Sequence, residues 1–349
     1  MIHSRVRRQD GTFLVDPPVD RLPDLLKNPA TLSWVDLESP TADELGLLSG
    51  ILAWDQLTEE DLTSEDQRTK LERFDTYDVL VMHALRYIAA GAAGAAGAAG
   101  AAGAADAPGT PGQPAPDGVA RVETPEVDFV IGKNYVVSVH YVPLPHMTET
   151  RETTSHYEKL LEDGPDYILY VLTDNLVDSY FPVVDAMQDA VDELEDQIVT
   201  NPSDKLLPVI FEMKRDAVRM RKAISPQLEV FARLTAPGYG VVSAEHVNYF
   251  RDVHDHLIRV FEASDSYREL MGGALDAYLS TVSNRMNDVM KRLTVVAALF
   301  LPITFLTGLL GMNLRSTPPW DDNFFWVFLG GMAVLTALQW YYMHRRGWT

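Results

Sequence analysis

The chain has 349 residues, 29 Lys and Arg against 50 Asp and Glu, 46% hydrophobic residues and no cysteine. That length suits two or three domains, and the missing cysteine excludes a disulfide framework, a thiolate zinc centre and a Cys nucleophile. A net charge of −21 repels phosphate backbones, which argues against nucleic acid as a partner, and attracts small cations.

In chain order, residues 1–145 read as a mixed α/β domain. Leu32–Leu37 is the first strand, and Thr41 with Glu44 has the spacing of a capping box that opens the next helix. Tyr77–Ile88, Ala120–Glu123 and Val127–Ile131 follow as strands, the last forming a hairpin with Tyr135–Tyr141 across Gly132-Lys133-Asn134. Within this domain, residues 89–118 hold five consecutive Gly-Ala-Ala triplets and then a Pro-rich stretch. Glycine at every third position is the collagen period, but the triplets lack proline elsewhere. Ala and Gly bury too little to offset ordering entropy, so a disordered hairpin loop is expected.

Residues 146–292 turn helical. Asp166–Thr200 is a long amphipathic segment stopped by Asn201-Pro202, and Ser203–Thr235 is a second, ended by Ala236-Pro237-Gly238. A third begins near Ser243 and meets no stop before Met312. As one helix it would extend roughly 105 Å at 1.5 Å per residue, the length of a stalk leading from the cytoplasm into a membrane.

Two uncharged runs of the right length to cross a bilayer lie at the C-terminus, residues 293–312 and 324–343. Trp320, Trp326, Trp340, Tyr341 and Tyr342 flank them, where amphipathic rings favour the lipid–water interface. The N-terminal MIHSRVRRQDG has no apolar core, so no signal peptide is expected and the first 292 residues are read as cytoplasmic. Lys291 and Arg292 precede the first span, Arg345 and Arg346 follow the second, and the connection 313–323 carries Arg315 against Asp321 and Asp322. The positive-inside bias puts both termini and the tail 344–349 in the cytoplasm and that loop outside, in a multi-pass plasma-membrane protein. Residues 293–349 hold three Arg and two Asp, so all the net acidity belongs to the cytoplasmic part. The near-zero mean hydropathy of −0.07 is thus an average of two opposite parts.

Two helices alone cannot enclose water, since their backbone groups are satisfied internally and their outer faces meet lipid. The chain is therefore either a membrane-anchored cytoplasmic binding module or one protomer of an oligomeric pore. Asn287, Met290, Leu293, Ala297, Leu301, Thr304 and Gly308 recur every three or four residues, the spacing of one supercoiled face. Periodicity alone allows helix packing or pore lining; the oxygens of Asn287 and Thr304 suit a hydrated cation.

Gly311-Met312-Asn313 ends the first span, and here the sequence resembles the CorA-type divalent cation transporters, two-span proteins with a Gly-Met-Asn signature. SNRMNDVMKRLTVVAALFLPITFLTGLLGMN at 283–313 resembles the family's pore helix throughout. The likeness continues in DYILYVLTDNLVDSYFPVVD (166–185), RKAISPQLEVFARL (221–234) and YFRDVHDH (249–256). It implies an α+β cytoplasmic domain, a very long stalk helix and two C-terminal transmembrane helices, assembled as a homopentameric, funnel-shaped channel and not an enzyme. Gly311, Met312 and Asn313 would form the selectivity filter for hydrated Mg²⁺, an ion that dehydrates reluctantly. Thr304 would be a polar station below it, and Leu301, Ala297, Leu293 and Met290 would line the hydrophobic part of the pore. Asn287 would form the next polar ring, with Asp276 lower in the funnel. The resemblance also implies a regulatory Mg²⁺ between protomers, held by Asp61 and Asp252; no other cofactor is implied.

The sequence departs from the family at two points. Leu310 precedes the signature where many magnesium members have Tyr, and the loop LRSTPPWDDN (314–323) lacks the usual Met-Pro-Glu-Leu stretch. FLPITFLTGL (300–309) resembles the zinc-transporting branch, whereas Asn287 and Met312 favour Mg²⁺, with Co²⁺ and Ni²⁺ as passengers and Zn²⁺ as the alternative. His254 and His256, two apart on a helix, diverge and make a poor shared zinc site, so solvated side chains are expected.

Overall fold

The computed structural model describes residues 1–64, 67–88, 120–153, 158–237, 240–312 and 322–348. The Gly-Ala insertion expected to be a disordered loop lies outside them, as does Asn313. The chain forms two compact units, Met1–Gln197 with Ser203–Ala274, and Ile198–Pro202 with Leu275–Thr349.

The first unit is built on strands β1 (Ile2–Arg7), β2 (Phe13–Val15), β3 (Leu32–Glu38), β4 (Lys70–Arg73) and β5 (Tyr77–His83), then β6 (Arg86–Ile88), β7 (Arg121–Glu123), β8 (Glu126–Gly132) and β9 (Tyr135–His140). Seven of them form one sheet in the order β2-β1-β3-β9-β8-β5-β4, parallel only at β3–β9, while β6 and β7 make a separate ribbon. In β3, Val35 and Leu37 face one way and Trp34 and Asp36 the other, and all four are buried. Both faces are therefore covered, which is why these strands do not alternate cleanly between apolar and polar residues. On one face, helices α1 (Leu22–Lys27), α2 (Ala42–Leu52) and α3 (Gln56–Thr63) bring Leu26, Leu45, Leu48 and Leu62 onto Val35, Val81 and Val130. Helices α4 (Pro145–Glu152) and α5 (Pro165–Asp178) cover the other. The capping box expected at α2 is present: Thr41 Oγ1 accepts from the Glu44 N–H (3.2 Å), and Glu44 Oε2 accepts from the Thr41 N–H (2.9 Å).

Three expectations need correction. Tyr77–Ile88 is two strands, because the His83 carbonyl is taken by Tyr180 Oη (2.5 Å) and Gln227 Nε2 (3.0 Å) instead of a strand partner. The segment Asp166–Thr200 divides into α5 and α6 (Tyr180–Thr200) at Ser179. Pro182 has no N–H to offer the Asp178 carbonyl, and its ring crowds that oxygen. The long helix, α8, begins at Val247, after α7 (Leu206–Leu234). Asp166 Oδ2 accepts the Ser243 N–H and contacts His246 Nδ1, both at 2.9 Å, and holds that stretch as a turn. The short or charged elements β1, β2, β4, α1, α3 and α4 were not anticipated; edge strands such as IHSRVR and KLER lack an apolar signature.

Helix α8 (Val247–Leu310) is continuous for 64 residues, against the 70 expected. Its buried positions Phe250, Val253, Leu257, Val260, Ser264, Tyr267, Met271, Ala274 and Tyr278 are alternately three and four apart, a supercoil spacing. Every residue from Val282 to Thr294 is exposed. In the second unit, α9 (Asp322–Arg345) contains the second uncharged run.

Candidate ion pathway and cation cluster

The C-terminal part of α8 is long and apolar enough to cross a membrane, and only 6% of that apolar stretch is buried. Its shielding is one-sided. Val295, Ala298, Leu299, Pro302, Ile303 and Leu306 are buried or partly buried, whereas Asn287, Met290, Leu293, Ala297, Leu301, Thr304 and Gly308 are all exposed. At 3.6 residues per turn the two sets lie on opposite sides of the helix. The residues the sequence pattern singled out lie among the exposed ones, together with Val296, Phe300, Phe305 and Leu309. Asp276, farther down the helix, is exposed as well.

Thr304 Oγ1 donates to the Phe300 carbonyl at 2.8 Å. Its proton is thereby engaged within the helix, and only oxygen lone pairs remain for a cation or its water shell. Pro302 leaves the Ala298 carbonyl without its intrahelical donor, a second oxygen in the same span. The helix closes in a turn, with the Gly311 N–H on the Thr307 carbonyl (3.0 Å), and Met312 is 53% exposed. Asn287 and Met290 also border a cleft of about 570 Å³ with Asn284, Asp288, Lys291, Thr294 and Trp348.

In the first unit, two helices each present acceptors one turn apart. Helix α5 offers Asp174 and Asp178, and α8 offers Asp252 and His256. One ligand atom from each of Asp174, Asp178 and His256 lies within 4.8 Å of the others. His256 Nδ1 is 3.1 Å from Asp178 Oδ1, and Nε2 is 3.9 Å from Asp252 Oδ2. Burial and the neighbouring Asp178 carboxylate push Asp174 up to about 6. Asp174, Asp178 and His256 are the residue types, at the spacing, that could hold a divalent cation, which would offset the repulsion between the two carboxylates.

The expectation of a solvated His256 is therefore corrected: its side chain is 19% exposed and held among carboxylates. His254 takes no part, lying instead 3.8 Å from Asp255. Asp174 and Asp178 were missed by the sequence reading, although the matched four-residue spacings in DNLVD and DVHDH were a signal for them. Asp252 lies beside this cluster, at the other nitrogen of His256, while Asp61 is paired with Lys70, Nζ to Oδ2 2.6 Å. The two expected regulatory ligands do not enter one ligand set within the chain.

A Ser, a His and an Asp do meet in the first unit, but not as a catalytic relay. Ser138 Oγ donates to Asp36 Oδ1 (2.7 Å), and His140 Nε2 is 3.3 Å from that same oxygen. All three are buried, and Arg151 caps the other Asp36 oxygen at 2.8 Å. Burial opposes the charge of Asp36, yet these donors hold its carboxyl below the usual range. A buried serine that gives its proton to the acid belongs to a structural network.

Residues 29–94 and 112–345 match the family profile described as CorA-like Mg2+ transporter protein. The putative metal ion transporter YfjQ of Bacillus subtilis is 29% identical over 352 residues, covering 100% of this chain and 98% of that protein. The cobalt/magnesium transport protein CorA of Thermotoga maritima is 28% identical over 330 residues, 92% and 85% of the two chains. Among solved structures, the complete CorA magnesium transporter from Methanocaldococcus jannaschii superimposes with a TM-score of 0.77 at 18% identity, covering 99% of this chain and 98% of that one. That likeness is one of fold.

Proposed function

This chain belongs to the family of CorA-like Mg2+ transporters, and on that premise we propose that it conducts Mg²⁺, with Co²⁺ and Ni²⁺ as passengers, through a homopentameric channel in the lipid bilayer. The observation that carries the proposal is the exposed side of α8 from Ala297 to Gly308, set opposite the shielded face of the same helix. A helix with one covered side and one bare side bearing Thr304 is suited to lining a shared path. Five such stripes would enclose water where one cannot.

In this reading Gly311, Met312 and Asn313 bind the incoming hydrated ion, and Thr304 offers it oxygens. The rings of Leu301, Ala297, Leu293 and Met290 close the pore by dewetting. Asn287 and Asp276 receive the ion below. The span 293–312 lines the pore, 313–323 faces outward, 324–343 meets lipid, and residues 1–292 with the tail 344–349 are cytoplasmic. The first part, 1–145, supplies the α/β domain and 146–292 the helical region with the stalk. The chain holds a net −21, which gives the assembly a cation-attracting inner mouth. Transport follows the ion gradient and membrane potential, worth about 2.3 kcal/mol per charge per 100 mV.

Regulation is read at Asp61 and Asp252, bridged by cytoplasmic Mg²⁺ between neighbouring protomers. The Asp174–Asp178–His256 cluster places three more ligands beside Asp252. One helix carries both Asp252 and the pore residues, so clamping one end restrains the other.

The test is uptake by proteoliposomes offered Mg²⁺, Co²⁺ and Zn²⁺ in competition, with and without a proton gradient. Mg²⁺ should win without any gradient, and Asn313→Ala should abolish uptake. Zn²⁺ preference with a need for the gradient would establish the zinc alternative. An unchanged Asn313→Ala variant would point to an anchored binding module.

A further inference from the structure

Lys70 stands between two carboxylates, with a third on the same sheet face. Its Nζ is 2.6 Å from Asp61 Oδ2 and 3.2 Å from Glu72 Oε2. Lys70 on β4, Val81 on β5 and Asp128 on β8 are partners across three adjacent strands. Partners across antiparallel strands point to the same face, so Asp128 projects from the same face as Lys70, two strands away with Val81 between. Asp128 is 3% exposed, and its Oδ1 has no hydrogen-bond partner. Burial and the adjacent Glu126 push its carboxyl well above the usual range, while the Lys70 ammonium acts the other way.

We propose that Lys70 is a built-in competitor for the divalent cation at Asp61 and sets the concentration at which that site fills. The proposal rests on the reading of Asp61 as a regulatory ligand. An ammonium and a divalent ion cannot share the same carboxylate oxygen, since they need the same lone pairs and repel each other. The arriving ion therefore displaces Lys70. The displaced ammonium is not stranded: Glu72 is already in contact, and the open Oδ1 of Asp128 lies on the same face. A flexible four-carbon stem lets one point charge move between these seats. Because the amine has somewhere to go, the exchange costs little, and the competitor tunes the sensor without blocking it. The Asp61 side chain is 35% exposed, so an ion can reach it from solvent.

The experiment is an inside-out patch recording of the full-length channel, with Mg²⁺ titrated on the cytoplasmic face. A half-exposed ion pair contributes little, so Lys70→Gln should lower the inhibitory Mg²⁺ midpoint by about two- to fivefold. Lys70→Arg, which keeps the charge, should hold the midpoint near that of the unaltered channel. Glu72→Gln removes one alternative seat and should raise the midpoint; this arm stands on its own if Lys70→Gln does not assemble. An unchanged or raised midpoint in Lys70→Gln overturns the competitor role. So does a lowered one in Glu72→Gln. Asp61→Asn separates the two readings: if it abolishes inhibition while Lys70→Gln shifts nothing, only the competitor is lost. If Asp61→Asn is inhibited normally, the sensor assignment fails and the competitor with it.

Discussion

Asp252 and His256 stand one helical turn apart on α8, and the imidazole addresses a different carboxylate with each nitrogen. Nε2 is 3.9 Å from Asp252 Oδ2, and Nδ1 is 3.1 Å from Asp178 Oδ1 on α5. The ring thus sits between two helices whose acidic residues repel one another. A cation bound here would draw α5 and α8 together.

Loss of the imidazole should therefore weaken cation binding by roughly tenfold or more, the scale on which shell residues tune metal sites. Isothermal titration of the detergent-solubilised chain with Co²⁺ would measure it, comparing the unaltered protein with His256→Ala and Asp174→Asn. His254→Ala, outside the cluster, is expected to bind normally. Equal loss in all three variants would mean that the cluster is not the ligand set.

In the span, the Thr304 hydroxyl donates to Phe300 and keeps its lone pairs outward. Thr304→Ser preserves this arrangement and should conduct near the normal rate. Thr304→Val has the same shape without the oxygen, and should lower single-channel Mg²⁺ conductance several-fold while the protein still folds and assembles. Equal conductance in the two variants would remove Thr304 from the pathway.

Acid should loosen the first unit through His146. Burial, with His140 nearby, lowers its pKa from 6.5 to about 4, and its Nε2 has no hydrogen-bond partner. The folded pKa lies below the unfolded one, so the unfolded chain binds more protons between pH 6.5 and 4. The stability His146 contributes is complete above pH 6.5 and is lost as pH falls toward 4. At pH 5 the loss is about 2 kcal/mol relative to pH 8. His140 has the opposite sign. Burial opposes its charge, yet Asp36 raises its pKa, so its contribution is complete below the unfolded value and fades as pH rises. His146→Gln should flatten the fall in melting temperature between pH 7 and pH 5; an equally steep fall would assign the acid sensitivity elsewhere.

Core packing offers a contrast between adjacent residues. Leu48 on α2 is fully buried, while Leu47 is 40% exposed. Leu48→Ala should cost about 2–5 kcal/mol, and Leu47→Ala less than about 1 kcal/mol. Denaturant unfolding followed by tryptophan fluorescence, with Trp34 and Trp54 in the core, would read both.

What was legible in the sequence was legible locally. Thr41 and Glu44 lie three residues apart, and their reciprocal bonds form wherever a helix begins there. The hairpin at Gly132-Lys133-Asn134 pairs Val127–Ile131 with Val136–His140, because alternating apolar runs flank a short turn. The breaks at His83, Ser179 and Val247 were less visible. Two of the three depend on distant partners, Tyr180 and Gln227 for one and Asp166 for another.

The sequence by itself determined the long helix, its apolar end, the two uncharged runs and the acidic character of everything before them. Hydropathy and periodicity act between near neighbours, so a linear reading captures them. Only the tertiary structure decided which charges meet. His256 lies 82 positions from Asp174 and 78 from Asp178 in the chain, and they share a cluster because α5 and α8 pack in one register. Lys70 shares a sheet face with Asp128 because β4, β5 and β8 align. The net charge of −21 was countable at the outset, but a carboxylate's free energy depends on its distance to the next charge, and folding sets that distance.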